Sequence, residues 1–131
     1  MKKSEILNSE ISSVISLMGH TDELTICDCG LPIHGAPRID LALHKGVPSF
    51  LDTLKTVLSD LCIQEVIMAE EIKTASPGLL EEILRVLPNN VKITYIPHEE
   101  LKKRSQNSRA IIRTGECTSF ANIILVSGVT F

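Results

Sequence analysis

The sequence contains no tryptophan, and aromatic residues account for only 3% of its 131 residues. Its core must therefore consist of aliphatic side chains, in keeping with an apolar share of 44%. No apolar run approaches the roughly 18 residues that a membrane-spanning helix requires. The basic start Met1-Lys2-Lys3 is not followed by the apolar segment of a signal peptide. We therefore expect a cytoplasmic protein that does not interact with membranes.

Several motifs of nucleotide and nucleophile chemistry are also absent. Neither G-x-x-x-x-G-K nor G-x-G-x-x-G occurs, and no serine lies in a G-x-S-x-G turn. The net charge is −3, and the only basic cluster is Lys102-Lys103-Arg104, at the end of a short predicted helix. A nucleic-acid partner is disfavoured, because such proteins carry a clustered basic face. Cys27-Asp28-Cys29 is C-x-C rather than C-x-x-C, so we expect all four cysteines to be small, buried, reduced side chains.

Apolar segments of strand type alternate with helical patterns along most of the chain. Helices are predicted after the cap Asn8-Ser9, from Pro48, from the cap and proline Ser76-Pro77, and through Leu101. Strands are predicted at Leu24–Ile26, Arg38–Leu43, Val66–Ala69, Val91–Ile96, Ala110–Ile112 and Ala121–Val126. The alternation predicts an α/β fold, a single three-layer domain over residues 1–131 with a mainly parallel sheet covered by helices.

His20 and Asp28 flank the first predicted strand. His20 follows the helix stop Gly19, and Asp28 follows the apolar segment that ends at Cys27. If the two side chains share one rim of the sheet, they can form a proton-transfer pair, since an imidazole ordinarily titrates near pH 6.5. His20 can equally favour the helix dipole, and Asp28 can cap nearby backbone amides. A metal site of His20, Asp22 and Asp28 is a third interpretation, which we rank below the others because no second closely spaced histidine is present.

Two other strand ends carry polar groups. His98 follows Pro97 at the end of a predicted strand, where it can also be a surface residue at a helix start. Asn122 enters an apolar strand, so its amide needs buried partners or a ligand's hydroxyl groups. Imidazole, carboxylate and amide groups without a nucleophile or phosphate loop suit proton transfer on a small polyhydroxylated ligand.

The chain resembles the family of D-ribose pyranases and L-fucose mutarotases over essentially its whole length. The segments that carry the resemblance are Leu17-Met18-Gly19-His20-Thr21-Asp22, Asp28-Cys29-Gly30-Leu31-Pro32, Gly46-Val47-Pro48-Ser49-Phe50, Ala69-Glu70-Glu71-Ile72-Lys73, Pro97-His98-Glu99-Glu100, Ile112-Arg113-Thr114-Gly115-Glu116, Ala121-Asn122-Ile123-Ile124-Leu125 and Gly128-Val129-Thr130-Phe131.

The resemblance implies a cytoplasmic isomerase that interconverts the pyranose and furanose forms of D-ribose without metal or cofactor. By that similarity His20 is the proton donor, Asp28 and His98 bind the sugar, and Phe120, Ala121 and Asn122 complete the pocket. The implied assembly is a homodecamer of two rings. The alternatives are a non-catalytic sugar-binding or regulatory module and a mutarotase for another sugar such as L-fucose.

Two departures from the family pattern stand out. Phe120 replaces the usual tyrosine, which removes a phenolic hydroxyl, and Cys29 replaces the usual alanine, a change that we expect to be silent. The apolar tail, Ile123–Val126 and then Val129-Thr130-Phe131, predicts burial in a subunit interface, because free termini are usually polar. Asn122 then reaches the pocket of an adjacent subunit that holds His20. The alternative is that the tail is a core strand and that the whole site belongs to one chain.

Overall fold

One six-stranded sheet organises the fold in the computed structural model, which describes all residues from Met1 to Phe131. The strands are β1 (Glu23–Cys27), β2 (Arg38–Asp40), β3 (Ile63–Ala69), β4 (Lys92–Ile96), β5 (Ile111–Arg113) and β6 (Ile123–Ser127). Their order across the sheet is β2-β5-β1-β6-β3-β4. Three of the five neighbouring pairs are parallel, and only β6 runs against its two neighbours, β1 and β3. The predicted mainly parallel α/β sheet is confirmed.

Five helices cover the sheet unequally. They are α1 (Ser9–Leu17), α2 (Phe50–Leu58), α3 (Ile72–Ala75), α4 (Pro77–Val86) and α5 (His98–Ser105). The first four pack on one face, where Ile11, Phe50, Leu54, Ile72 and Ile83 join the larger core cluster. On the other face, Leu101 of α5 and Leu31 of the loop after β1 cover a smaller cluster. The sheet is therefore the middle of three layers.

Strand β6 lies at the centre of the sheet and is buried on both faces. Ile123 and Leu125 contact the larger cluster, whereas Ile124 and Val126 contact the smaller one. This explains its continuous apolar run, because a strand covered on both sides needs no polar face. The prediction that this segment is buried in a subunit interface is wrong. Of the tail, only Val129 and Phe131 present large exposed apolar side chains.

The local signals were mostly interpreted correctly. Asn8 caps α1, as its side chain accepts a hydrogen bond from the Ile11 backbone N–H at 2.9 Å. Pro48 does not begin α2; Ser49 is the N-cap, and its Oγ accepts from the Asp52 N–H at 3.1 Å. Ser76 precedes α4 but makes no side-chain cap, because its hydroxyl donates to the Ser119 carbonyl at 2.8 Å.

Several strand bounds differ from the prediction, most in β2 and in β3, which begins at Ile63 rather than Val66, and one helix is additional. Strand β2 has three residues rather than six, because the chain leaves the sheet after Asp40. Helix α3 was not predicted, and its four residues carry only one buried side chain, Ile72. No helix in the structure is long and apolar enough to cross a membrane.

Candidate functional site

Asp28 and Asn122 form a pair at one end of the sheet. Because β1 and β6 are antiparallel neighbours, the residue after β1 meets the residue before β6. The Asn122 amide donates to Asp28 Oδ2 at 3.0 Å, and the Asp28 backbone N–H donates to Asn122 Oδ1 at 3.0 Å. Gly30 N–H donates to Asp28 Oδ1 at 2.9 Å. Asn122 is fully buried, so the carboxylate is oriented by a side chain that is itself enclosed by the core.

His98 and Phe120 stand beside this pair. His98 is the first residue of α5, and its backbone N–H donates to the Glu71 carboxylate at 3.0 and 3.1 Å. Its ring meets the Phe120 ring edge to face, with centroids 5.0 Å apart. The His98 Nδ1 atom is buried and has no hydrogen-bond partner. Unpaired buried polar atoms are rare, so the free hydrogen-bonding capacity of this nitrogen sets His98 apart from an ordinary core residue.

Phe120 has a left-handed backbone conformation, with φ of 61°. Such angles are uncommon outside glycine and concentrate at ligand sites and turns. Here the Asn122 N–H donates to the Phe120 carbonyl at 2.8 Å, which closes a tight turn. The turn places the Phe120 ring against His98 and the Asn122 side chain behind Asp28.

A cavity of about 410 Å³ opens between these three segments. It is lined by residues from the loop after β1, from α5 and from the turn before β6, including Asp28, Pro32, His98, Lys102, Ser119 and Phe120. Of the predicted site residues, Asp28, His98 and Phe120 line it. Asn122 supports Asp28 from behind, and Ala121 is fully buried beneath the turn.

His20 lies elsewhere, in a second cavity of about 380 Å³ with the C-terminal residues 127–131. Its Nε2 atom lies 2.8 Å from Gln64 Oε1, and the side chain is exposed. His20 precedes β1 and Asp28 follows it, so the five strand residues, about 16 Å at roughly 3.3 Å per residue, separate them. The expectation that His20 and Asp28 of one chain share a rim is wrong, because they precede and follow the same strand and so lie at opposite ends of the sheet.

Asp22 fixes the backbone that carries His20. Its Oδ2 accepts the Gly19 N–H at 2.8 Å and lies 3.0 Å from Arg109. The Gly19 hydrogen bond, aided by Arg109, holds the Asp22 pKa below its ordinary value. Thr21, with φ of 69°, anchors the same turn by donating its N–H to the Ser127 carbonyl at 3.0 Å. The histidine is thus presented on a braced turn.

No three His, Cys, Asp or Glu side chains of the structure gather closely enough to hold a metal ion. The set His20, Asp22 and Asp28 is divided between the two ends of β1, so these three side chains of one chain do not meet at a single metal ion.

The chain matches the model of the RbsD / FucU transport protein family over residues 1–130. The protein belongs to this family. A curated D-ribose pyranase of Clostridium botulinum is 58% identical over 132 residues, and one of Aliivibrio fischeri is 51% identical over 139 residues, each covering the whole of both chains.

Solved structures agree with this assignment. Bacillus subtilis RbsD, complexed with D-ribose, superposes with a TM-score of 0.95 and 39% identity over the full length of both chains. The fucose mutarotase of Streptococcus pneumoniae, in complex with L-fucose, has a TM-score of 0.77 and 21% identity over both whole chains. At this identity, the comparison with the fucose mutarotase shows only that it shares the fold of the present RbsD / FucU family chain.

Sequence reasoning missed two residues of the site in this RbsD / FucU chain. Lys102 was noted only as part of a basic cluster at the end of a helix, yet it lines the cavity and pairs with Glu99 at 2.6 Å. Its position four residues after His98 was the available signal, because such residues share a helix face. Ser119 lines the cavity as well, and no pattern marked it.

Proposed function

We propose that this chain is a D-ribose pyranase, an isomerase that interconverts the pyranose and furanose forms of D-ribose. The observation that carries the proposal is the cavity that the hydrogen-bonded Asp28 carboxylate lines together with His98 and Phe120. Support comes from relatives named D-ribose pyranase at 50–58% identity and from the ribose-bound structure of Bacillus subtilis RbsD.

The cavity suits a small polyhydroxylated ligand. Its volume of about 410 Å³ falls within the range of roughly 300–1,000 Å³ that is usual for small-molecule sites. The Asp28 carboxylate accepts sugar hydroxyl protons, while Lys102 donates. The Phe120 ring supplies an apolar wall for the C–H face of the sugar. We assign sugar binding to Asp28, His98, Phe120 and the backbone of the turn that includes Ala121 and Asn122.

Ring opening needs one proton delivered and one removed. A proton goes to the ring oxygen, the bond between that oxygen and the anomeric carbon breaks, and the anomeric hydroxyl loses its proton to leave an aldehyde. Attack on the aldehyde by a different hydroxyl then closes the furanose ring. Positioned acid–base groups accelerate such steps by roughly 10²–10⁴-fold. We assign proton donation to His20 and proton acceptance to the carboxylate and imidazole in the Asp28 cavity.

His20 reaches the sugar only from another copy of the chain. Within one chain His20 lies at the opposite end of the sheet from Asp28. A site that contains both residues therefore requires an interface between two subunits. Exposed apolar side chains support such assembly, since Leu7, Leu17 and Leu43 are 74%, 76% and 77% exposed. Phe131, beside His20, is also fully exposed. We infer a homo-oligomer, specifically a decamer of two rings. In this assembly the cavity that contains His20 in one subunit faces the cavity that contains Asp28 in the next.

The remaining assignments follow from this proposal. We infer a cytoplasmic enzyme that consists of one domain, residues 1–131, since all six strands join one sheet. It acts without metal or other cofactor and takes the monosaccharide as its partner.

Saturation-transfer NMR on D-ribose tests the function. The pyranose and furanose signals are well resolved, so we expect saturation of a pyranose signal to reduce the furanose signals when catalytic amounts of protein are present. A sugar-binding module would broaden the signals without speeding the exchange, and that result would overturn the proposal. A parallel measurement with L-fucose distinguishes a pyranase for ribose from a mutarotase for another sugar.

A further inference from the structure

Two thiols lie in contact next to the candidate site. Cys29 Sγ and Cys117 Sγ are 3.7 Å apart, although 88 positions separate them in the chain. Cys29 is half-buried and Cys117 is exposed, so solvent reaches the pair. The expectation that all four cysteines are buried is therefore wrong, and it holds only for Cys27.

The backbone brings the two cysteines together. Thr114 N–H donates to the Cys27 carbonyl at 3.0 Å, and Cys29 N–H donates to the Glu116 carbonyl at 2.9 Å, so the segments after β1 and β5 stay side by side beyond the strands. Neighbouring strands lie about 4.8 Å apart, within the range of roughly 4.4–6.8 Å that disulfides span between Cα atoms. Arg113 strengthens this arrangement by donating its Nε–H to the Cys29 carbonyl at 3.1 Å.

We propose that Cys29 and Cys117 form a reversible dithiol–disulfide pair, which small-molecule disulfides oxidise. The two sulfur atoms would approach from 3.7 Å to a bond of about 2.0 Å. If the pair forms, cysteine at position 29 has a chemical consequence, contrary to the expectation that it is a silent replacement.

The reaction is an ordinary thiol–disulfide exchange. The exposed Cys117 thiolate attacks one sulfur of the reagent, forms a mixed disulfide and releases one thiol. The Cys29 thiolate then attacks the Cys117 sulfur, forms the internal disulfide and releases the second thiol. The two cysteines together lose two electrons and two protons, and the disulfide reagent takes up these electrons and protons to become two thiols. In a reducing compartment such a bond is transient and reports the redox state.

The other two cysteines provide internal controls. Burial, together with the adjacent Asp28 carboxylate, raises the pKa of the Cys27 thiol to about 12, so Cys27 stays unreactive at neutral pH. Cys62 is exposed but lies at the opposite end of the sheet, where its thiol donates to the Val129 carbonyl at 3.3 Å. A reagent that merely modifies exposed thiols would therefore attack Cys62 as readily as Cys117.

The test uses the folded protein at pH 7.5 with glutathione disulfide. Free thiols are then alkylated and mapped by peptide mass spectrometry without reduction. We expect a Cys29–Cys117 linked peptide, an unlinked Cys27 and recovery of both thiols after a reducing agent. Cys62→Ser should give the same link, whereas Cys29→Ala should carry glutathione on Cys117 instead.

A second measurement checks that the two thiols are accessible. Phenylarsine oxide bridges closely spaced thiols, and intact-mass analysis should show one adduct for the native protein and for Cys62→Ser, and none for Cys29→Ala. The proposal is overturned if the oxidised folded protein contains no Cys29–Cys117 link, whether or not the arsenical binds. It is also overturned if protein unfolded in urea forms this link as readily as the folded chain, because the fold would then contribute nothing.

Discussion

His20 and Asp28 lie beyond opposite ends of β1. One chain therefore carries this imidazole and this carboxylate at opposite ends of its strands, in two separate cavities. Two residues that act on the same sugar must then belong to two copies of the chain. The orientation of Asn122 sharpens this conclusion, because its amide holds Asp28 of its own chain. In the proposed enzyme, each site would then take the carboxylate and its amide from one subunit and the histidine from another.

Mixing two inactive variants tests the shared site. We expect His20→Ala and Asn122→Ala to be inactive alone and to recover part of the exchange activity when they are unfolded and refolded together. Some interfaces would then pair an intact His20 with an intact Asn122. Native mass spectrometry must show mixed oligomers, and a mixed yet inactive preparation would place the whole site in one subunit.

His20→Ala alone should abolish the exchange between pyranose and furanose signals. Positioned acid–base help is worth roughly 10²–10⁴-fold, so the remaining rate should approach the uncatalysed one. His34→Ala is the matched control, since His34 is also an exposed histidine but lies in the loop after β1. Circular dichroism and gel filtration should show both variants folded and assembled; an unchanged rate for His20→Ala would remove its role as proton donor.

Phe120→Tyr should tighten ribose binding, because it adds a hydroxyl group at the cavity wall. A hydrogen bond of this kind contributes about 0.5–1.5 kcal/mol, so the gain should not exceed roughly tenfold in Kd. Isothermal titration calorimetry measures the change. Tyr95→Phe, which removes the one native phenolic hydroxyl in the chain, is the control. Weaker binding by Phe120→Tyr would mean that the cavity is built around phenylalanine.

Exchange activity should survive exhaustive treatment with a chelator. The proposed steps use proton transfer alone, and within one chain no three His, Cys, Asp or Glu side chains gather closely enough to hold a metal ion. The measurement is the exchange rate before and after chelation and dialysis. Loss of activity that a divalent ion restores would contradict the proposed mechanism.

Glu116→Gln should destabilise the protein at neutral pH and much less in acid. Glu116 accepts hydrogen bonds from the Phe50 N–H at 3.0 Å and the Thr118 hydroxyl at 2.7 Å, which joins the start of α2 to the loop before β6. Burial alone would raise the Glu116 pKa, but the hydrogen bonds from Thr118 and Phe50 lower it overall.

The sign of the effect follows from that direction. A carboxylate whose pKa is lower in the folded than in the unfolded protein stabilises the fold above its unfolded pKa, and this contribution is lost as the pH falls through the folded value. Urea unfolding at pH 7 should show a loss of about 1–2 kcal/mol for Glu116→Gln. The difference from the wild type should shrink towards pH 3, and a difference independent of pH would exclude the charge as its cause.

Much of the fold was predictable because local signals determine it. Apolar periodicity and caps such as Asn8 marked the helices, and alternation of helices with strands indicated the layered sheet. The orientation of β6 was not predictable, since a run that is apolar on both faces is compatible with either direction. The four-residue helix α3 is too short for any period to appear.

The candidate site was only partly predictable. The polar groups at strand ends, Asp28, His98 and Asn122, were found, because a charged or amide group beside an apolar strand is conspicuous. The pairing of Asp28 with Asn122 depends on the antiparallel contact of β1 and β6. These two strands lie far apart in sequence, so their contact could not be predicted from local patterns. The position of His20 was misjudged because a residue before a strand and a residue after it were assigned to one rim.

The central place of β6 also affects how the protein is made. Strands β1 and β3 are synthesised well before β6, yet they contact each other only through it. Until residues 123–127 have left the ribosome, the nascent chain carries two strands with unpaired apolar edges, which are prone to pair with other chains. Sheet closure therefore waits for long-range contacts, the kind that slow folding most. We expect the emerging polypeptide to depend on chaperone protection for most of its translation.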